Sequence, residues 1–338
     1  MGDAFALLSE RKRNSIVPPP GNLKRPQCHP NPTENPKLRT GKLRVESALQ
    51  ALAVQAYRVL TMRIVCLSAE AADICYRLAV WDQVVGISAF CSKAFPPRPI
   101  VSGFSTANLR KILETSPDLV ITFSDVQAEI TGKLIRAGCP VLALNHRSLR
   151  GIADSIELIA RLAGVPDRGE GLARSFLDEL EALRYEPPVR PRVYFEEWDD
   201  PLVSGIEWTN EIVQIAGGDN IFPAAQKNRA KERTVSSAEV IFKDPEIILA
   251  SWCGKTVNVP LILARAGWLQ IRAIQDQRVY AIDSNDILQA GPSLVEGLRQ
   301  IRRIVHDWCV QKEGGETNRI QRIDLSNINN ERKTYSSK

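Results

Sequence analysis

The 338-residue sequence is poor in histidine, with only His29, His146 and His306, and it has two methionines. No histidine stands four positions from another or beside clustered cysteines, which excludes a zinc site of ordinary spacing. The seven cysteines (28, 66, 75, 91, 139, 253 and 309) form no C-x-x-C pair. A chain of this size does not depend on disulfide staples, so they are expected as reduced, mostly small core residues. No apolar run approaches the roughly 18 residues of a membrane span, so no membrane insertion is expected. The start, "MGDAFALLSERKRNSIVPPPG", brings charges before any apolar h-region and reads as no export signal. A basic folded face is missing too. Of the formal net charge of +5, residues 1–61 supply 10 Lys/Arg against 4 Asp/Glu and residues 310–338 supply 6 against 4, leaving 28 against 31 for residues 62–309. Nucleic acid is therefore excluded as a partner of the folded part.

What the chain does have is the 44% hydrophobic, 25% charged composition of a soluble globular protein. Short apolar runs of buried-strand length recur: "RIVCLS" (63–68), "VVGIS" (84–88), "DLVITF" (118–123), "VLALN" (141–145), "RVYFEE" (192–197), "IILAS" (247–251) and "RVYAID" (278–283). Helical patterns at 70–79, 106–115, 127–137 and 151–163 alternate with them. That alternation predicts an α/β fold with largely parallel sheets. One element breaks it: "RGEGLARSFLDELEALRYE" (168–186) has Leu172, Phe176, Leu177, Leu180 and Leu183 at helical spacing between Pro166 and Pro187. The predicted organisation is a leader without a core (1–61), an α/β lobe (62–166), a linking helix (167–189), a second α/β lobe (190–309) and a loose tail (310–338).

Two lobes on one helix make the cleft between them the natural binding place, because ligands on open α/β sheets sit beyond the carboxyl ends of the strands. The segment "YFEEWDDPLVSGIEWTNEIVQIAGG" (194–218) puts Trp198, Trp208 and six carboxylates there. For Glu196, Glu197, Asp199 and Asp200 two readings stand side by side, a solvated turn shaped by Asp and Pro201 and ligand contact. Trp208 and Glu211 fit equally the core and cap of the following helix. Cys91 and Cys253 either face the cleft or are buried thiols, and His306 reads as a helix-face residue.

The order of these segments resembles the helical-backbone substrate-binding proteins of iron-siderophore and vitamin B12 uptake, over residues 63–308. The stretches that carry it are "RIVCLSAEAADICYRL", "VVGISAFCSKAFPPRPIVSGFSTANLRKILETSPDLVITF", "RVYFEEWDDPLVSGIEWTNEIVQIAGGDNIF", "DPEIILASWCG" and "RVYAIDSNDILQAGPSLVEGLRQI". It is most similar to the cobalamin-binding members, which share the "EW-DP…SG…E-V…AGG" pattern. The resemblance implies two Rossmann-like lobes joined by one long helix, and a non-catalytic, monomeric protein that binds a corrinoid without a covalent cofactor. It places the ligand-binding positions at Phe104, Phe123, Glu197, Trp198, Trp208, Asn285 and Cys91. A flat macrocycle draws most of its affinity from aromatic faces, with a few polar groups to orient it.

Departures from the family pattern bear on ligand and partner. "AFCSKAFPP" keeps Cys91 but has no histidine where relatives read His-Glu-Cys-Asp-aromatic-Pro, and Phe104 and Phe123 stand where tryptophans are expected. A ferric siderophore or haem-type chelate is the alternative ligand. Transport members dock on an ABC permease through one glutamate per lobe, and the matching positions here are Arg110 and Ala238, with Glu114 and Glu239 nearby. A cytoplasmic protein is expected on these grounds, with the periplasm as the alternative. A reading of another class takes "SWCGKT" as a nucleotide-binding loop of an α/β enzyme, with Asp283 on magnesium. The loop needs a glycine five positions before Gly254, and Leu249 stands there.

Overall fold

The computed structural model describes residues 62–91, 93–103, 105–223 and 229–312. The expectations for the leader 1–61, for Phe104 and for the tail beyond residue 312 lie outside them.

The first lobe alternates β1 (Ile64–Cys66), α1 (Ala69–Arg77), β2 (Val84–Ser88), β3 (Ile100–Ser102), α2 (Leu109–Glu114), β4 (Leu119–Phe123), α3 (Ala128–Arg136), β5 (Val141–Leu144) and α4 (Leu149–Leu162). Its five strands are all parallel in the order β3-β2-β1-β4-β5. The linking helix α5 (Pro166–Ala182) follows, then β6 (Arg192–Asp199), β7 (Leu202–Ser204), α6 (Glu207–Ile215), β8 (Asp219–Asn220), α7 (Ser237–Lys243), β9 (Ile247–Ala250), α8 (Val259–Leu263), α9 (Arg272–Gln275), β10 (Val279–Ala281), α10 (Ser284–Ile287) and α11 (Leu294–Lys312). The second sheet runs β10-β9-β6-β7, with β8 also on β6; β7 alone is antiparallel. This is the two-lobe α/β fold with one linking helix that the sequence predicts.

Both ends of the linking helix and the end of the final helix differ from expectation, the linking helix stopping at Ala182, short of the expected 189. The linking helix starts on Pro166 instead of after it, because proline at the first helical position forgoes an N–H that has no intrahelical partner anyway. The final helix runs on to Lys312, past the expected lobe boundary at 309. The short strands β3, β7 and β8 carry too few residues to register as apolar runs.

Side-chain alternation along the strands builds the core. On β1, Ile64 and Cys66 face one apolar layer, and Val65 faces another with Leu67 just beyond the strand. On β6, Val193 and Phe195 face the first layer while Tyr194 faces a third cluster with Val240, Ile248, Trp252 and Trp268. The first layer is continuous from Ile64 through Phe176 of α5 to Phe195 and Leu298, so the two lobes share one core.

The α4–α5 crossing depends on Gly169, where a Cβ would stand 2.2 Å from Ala160 Cβ and 3.4 Å from Glu157 Cα. Gly169→Ala is therefore expected to cost about 1–3 kcal/mol by overpacking, read by urea denaturation. Ala160→Gly in the same chain should recover part of it, and a neutral Gly169→Ala would refute the close packing.

Candidate functional site

The carboxyl ends of both sheets meet between the lobes. From the first lobe come Glu70 after β1, Phe90 and Cys91 after β2, Phe123 at the end of β4 and His146 after β5. From the second come Trp198 on β6, Trp252 and Cys253 after β9, and Asp283 and Asn285 after β10. Direct contacts join the two sides. Trp208 N donates to Arg147 O at 2.9 Å, and Glu211 Oε2 accepts from Leu149 N at 2.6 Å, so Glu211 satisfies the first amide of α4 across the lobe boundary. Phe90 reaches over to Gly254, whose Cβ, if present, would lie 2.9 Å from Phe90 Cε1. Gly254 has φ +68, a left-handed turn conformation open to glycine, so this position is constrained twice.

Of the acids at the β6 end, Asp200 is the exposed turn residue before Pro201, whereas Glu196, Glu197 and Asp199 are paired within the fold. Glu196 is fully buried and accepts two bonds from Arg265, at 2.5 and 2.9 Å, and one from Trp252 Nε1 at 3.1 Å. Glu197 is held bidentately by the buried Arg233 at 2.5 and 3.0 Å. Asp199 takes Lys255 Nζ at 2.8 and 2.7 Å. That ammonium also lies 5.1 Å from the Trp198 ring centre and 4.7 Å from that of Trp252, within cation–π range of both. Trp198 Nε1 closes on Asp200 O at 3.0 Å. Each of these three acids thus has a cation of its own, and the Asp199–Lys255 pair with the Asp200 carbonyl holds the half-buried Trp198 in place at the end of β6.

The other expected site residues fall in different settings. Phe123 is half-buried, 5.0 Å from the His146 ring and 6.4 Å from the Trp208 ring. Trp208 is only 3% exposed and its Nε1 donates to Ile287 O at 3.0 Å, so it backs Phe123 from the core and presents no face of its own. Glu197 is committed to Arg233. Asn285 is exposed, with its amide bonded to Asp283 and accepting from Gln289. Cys91 is half-buried, and burial pushes its thiol up to about 12; Cys253 is pushed up to about 11, first by burial and then by the Glu197 and Glu70 charges. Both stay thiols at neutral pH and are poor nucleophiles. His146 Nδ1 lies 2.6 Å from the Ser155 hydroxyl, and burial lowers its pKa to about 4, so it is neutral.

Glu70 escapes sequence reasoning. It is 6% exposed in the first turn of α1, its Oε1 makes no hydrogen bond, and burial pushes its pKa up to about 7. The available signal is an acid pair, Glu70 and Asp73, inside the otherwise small and apolar run "SAEAADIC" just beyond a buried strand.

A lobe-2 concavity of about 310 Å³ lies between residues 254–257 and 281–284. It contains the "GKT" segment, but Lys255 is bound to Asp199 and the turn closes through a bridge from Trp252 to Lys255, so the loop wraps no phosphate-sized cradle. Among the described residues no group of three His, Cys, Asp or Glu is arranged to hold a metal ion, and no helix is long and apolar enough to cross a membrane.

Comparison with known proteins agrees with the two-lobe geometry. A family model described as "Periplasmic binding protein" matches residues 64–285. The vitamin B12-binding protein of Vibrio cholerae serotype O1 is 25% identical over 249 residues, 71% of this chain and 87% of that protein. Among solved structures, the periplasmic heme-binding protein RhuT from Roseiflexus sp. RS-1 superposes with a TM-score of 0.63 at 24% identity, covering 74% of this chain and 99% of that one. The periplasmic vitamin B12-binding protein BtuF of Vibrio cholerae gives 0.59 at 23%, covering 73% and 98%. At these identities the two structures speak for the fold alone.

Proposed function

The chain belongs to the periplasmic binding protein family, and on that premise we propose that its interlobe cleft binds a corrinoid without chemical turnover. The observation that carries this reading is Trp198 at the end of β6, held by Lys255, whose ammonium lies over both the Trp198 and the Trp252 rings, with Phe123 half-buried at the end of β4 in the other lobe. A broad, flat ligand gains affinity from such preorganised aromatic surface at little conformational cost. The reading also draws on the similarity to B12-binding relatives. Apart from Glu70, whose pKa stands near 7, the acids 196, 197 and 199 are paired with cations, His146 is neutral and the thiols are high, which supports a binding role. Phe123 and Trp198 are the proposed contacts, Cys91 and Asn285 lie at the rim, and Trp208 and Glu197 hold the contacts in place.

Cyanocobalamin is expected to quench tryptophan fluorescence with micromolar or tighter affinity, and Trp198→Ala to weaken binding by about tenfold or more. Haemin and a ferric siderophore, titrated alongside, test the alternative ligand. If all three leave the fluorescence and the melting temperature unchanged, the cleft reading falls.

We further propose that the protein retains its ligand in the cytoplasm instead of handing it to a permease. Arg110 is exposed and pairs with Glu114 on its own helix, while Glu239 is tied into the capping box of α7 with Ser236. The acids nearest to the docking positions are thus already engaged. The buried Cys66 and Cys75 sulfurs stand 3.9 Å apart, and a reducing compartment would keep such a pair as thiols. Recovery of the native protein outside the inner membrane on fractionation would overturn this location.

A further inference from the structure

We propose that Glu70 sets the ligand specificity of the cleft, accepting hydrogen bonds from amide N–H groups and turning away ligands that bring carboxylates. The inference rests on the cleft reading above and deepens it.

Glu70 differs from the other acids around the cleft. Glu196, Glu197 and Asp199 each meet a cation, whereas no lysine or arginine influences the Glu70 carboxyl. Its Oε1 is buried with no partner at hydrogen-bonding geometry, and the Ser68 hydroxyl, also without one, lies close enough to favour the charged carboxylate without offsetting its burial. Lobe 2 comes right up to it, since a Cβ on Gly291 would stand 3.4 Å from Glu70 Cβ. Its charge raises the thiols of Cys91 in the first lobe and Cys253 in the second, so it lies within electrostatic reach of both. Two more buried hydroxyls without partners, Ser251 and Ser293, lie at the ends of lobe-2 elements that meet this region. Native interiors rarely leave such atoms unsatisfied, and an orphaned acceptor at a binding cleft marks a place for a ligand donor.

Chemistry then separates the candidate ligands. The corrin periphery carries neutral primary amides with N–H donors, and haem carries two carboxylates. An amide N–H satisfies Oε1, whereas a carboxylate brought beside a buried carboxylate meets an uncompensated like charge. A site built around a buried polar group discriminates more sharply than an apolar wall does. Because burial holds the Glu70 pKa near 7, exclusion of carboxylates should strengthen as pH rises through neutrality. The other titratable groups around it are Asp73, itself raised by burial but paired with Arg77, and the thiols of Cys66, Cys75, Cys91 and Cys253. Of these, Cys66, Cys91 and Cys253 are all pushed above the thiol's ordinary value.

The test measures binding of cyanocobalamin, of its side-chain monocarboxylates (one amide hydrolysed) and of haemin to the full chain and to Glu70→Gln. The expected result at about pH 8 is that at least one monocarboxylate binds the native protein about tenfold more weakly than cyanocobalamin does. Glu70→Gln should remove that gap and tighten haemin, and cyanocobalamin itself should bind more weakly because its amide loses a charged acceptor. In the native protein alone the gap should also narrow at about pH 6, a readout that needs no variant. If cyanocobalamin binds but every monocarboxylate binds equally well at both pH values, the role of Glu70 is refuted and the cleft reading stands. If neither cyanocobalamin nor haemin binds the native protein, the cleft reading falls and takes this inference with it.

Discussion

Arg265→Leu is expected to lower the unfolding free energy by about 3–5 kcal/mol, the cost of leaving a buried carboxylate without its counter-charge. Glu196 has no solvent access, and two of its three hydrogen bonds come from the Arg265 guanidinium. Trp252 Nε1 supplies the third and cannot neutralise the charge. Arg265 also lies 4.5 Å from the Trp268 ring centre, so the substitution loses packing as well as charge. For a folded part of this size the melting temperature should fall by roughly 10 °C. Adding Glu196→Leu should restore much of the loss, since a buried pair replaced by apolar groups is often near neutral, less the bond that Trp252 then lacks. Urea denaturation of the two single variants and the double variant gives the coupling. A single-variant loss under about 1 kcal/mol, or a double variant no better than Arg265→Leu, would show that the pair is not the keystone of the β6 end.

Much of the architecture was legible because its signals are local. Strands such as Val84–Ser88 and Leu119–Phe123 are continuous apolar runs, and the linking helix announces itself by leucines at helical spacing between prolines. What was not legible depends on partners distant in sequence. The acids 196, 197 and 199 look alike in a one-dimensional reading. Their fates are decided by Arg265, Arg233 and Lys255, between 36 and 69 positions away. Trp208 reads equally as site or core from its neighbours, and only the Ile287 carbonyl, 79 positions on, makes it core. Glu239 looked available for docking until its bond back to Ser236 closed the capping box. Glu70 was passed over because an acid in the first turn of a helix is the ordinary complement of the helix dipole. Its burial against Gly291 comes from the far end of the chain.

Glu70 should also leave a mark on stability against pH. Its carboxyl is held near 7 in the folded protein, against an ordinary value of 4.5. Between those values the unfolded chain has released the proton and the folded chain still binds it, so stability falls as pH rises from about 4.5 to 7 and is level above. The whole loss is about 3 kcal/mol at 1.36 kcal/mol per pH unit. His146 acts in the opposite sense. Its pKa is lowered to about 4, so stability is lost as pH falls from about 6.5 toward 4. That contribution is common to the native protein and to Glu70→Gln and cancels in their difference. The variant is therefore expected to gain about 3 kcal/mol on the native protein between about pH 4.5 and pH 7, and nothing further beyond. A difference that stays constant within about 1 kcal/mol across that range would mean that Glu70 is not desolvated as described. An amide donor that favours the charged form should draw the folded pKa back down, so cyanocobalamin binding near pH 7 is expected to release protons from the native protein and not from Glu70→Gln. Calorimetric titrations in buffers of different ionisation enthalpy measure that release directly, and equal proton release from both proteins would place the titrating group elsewhere.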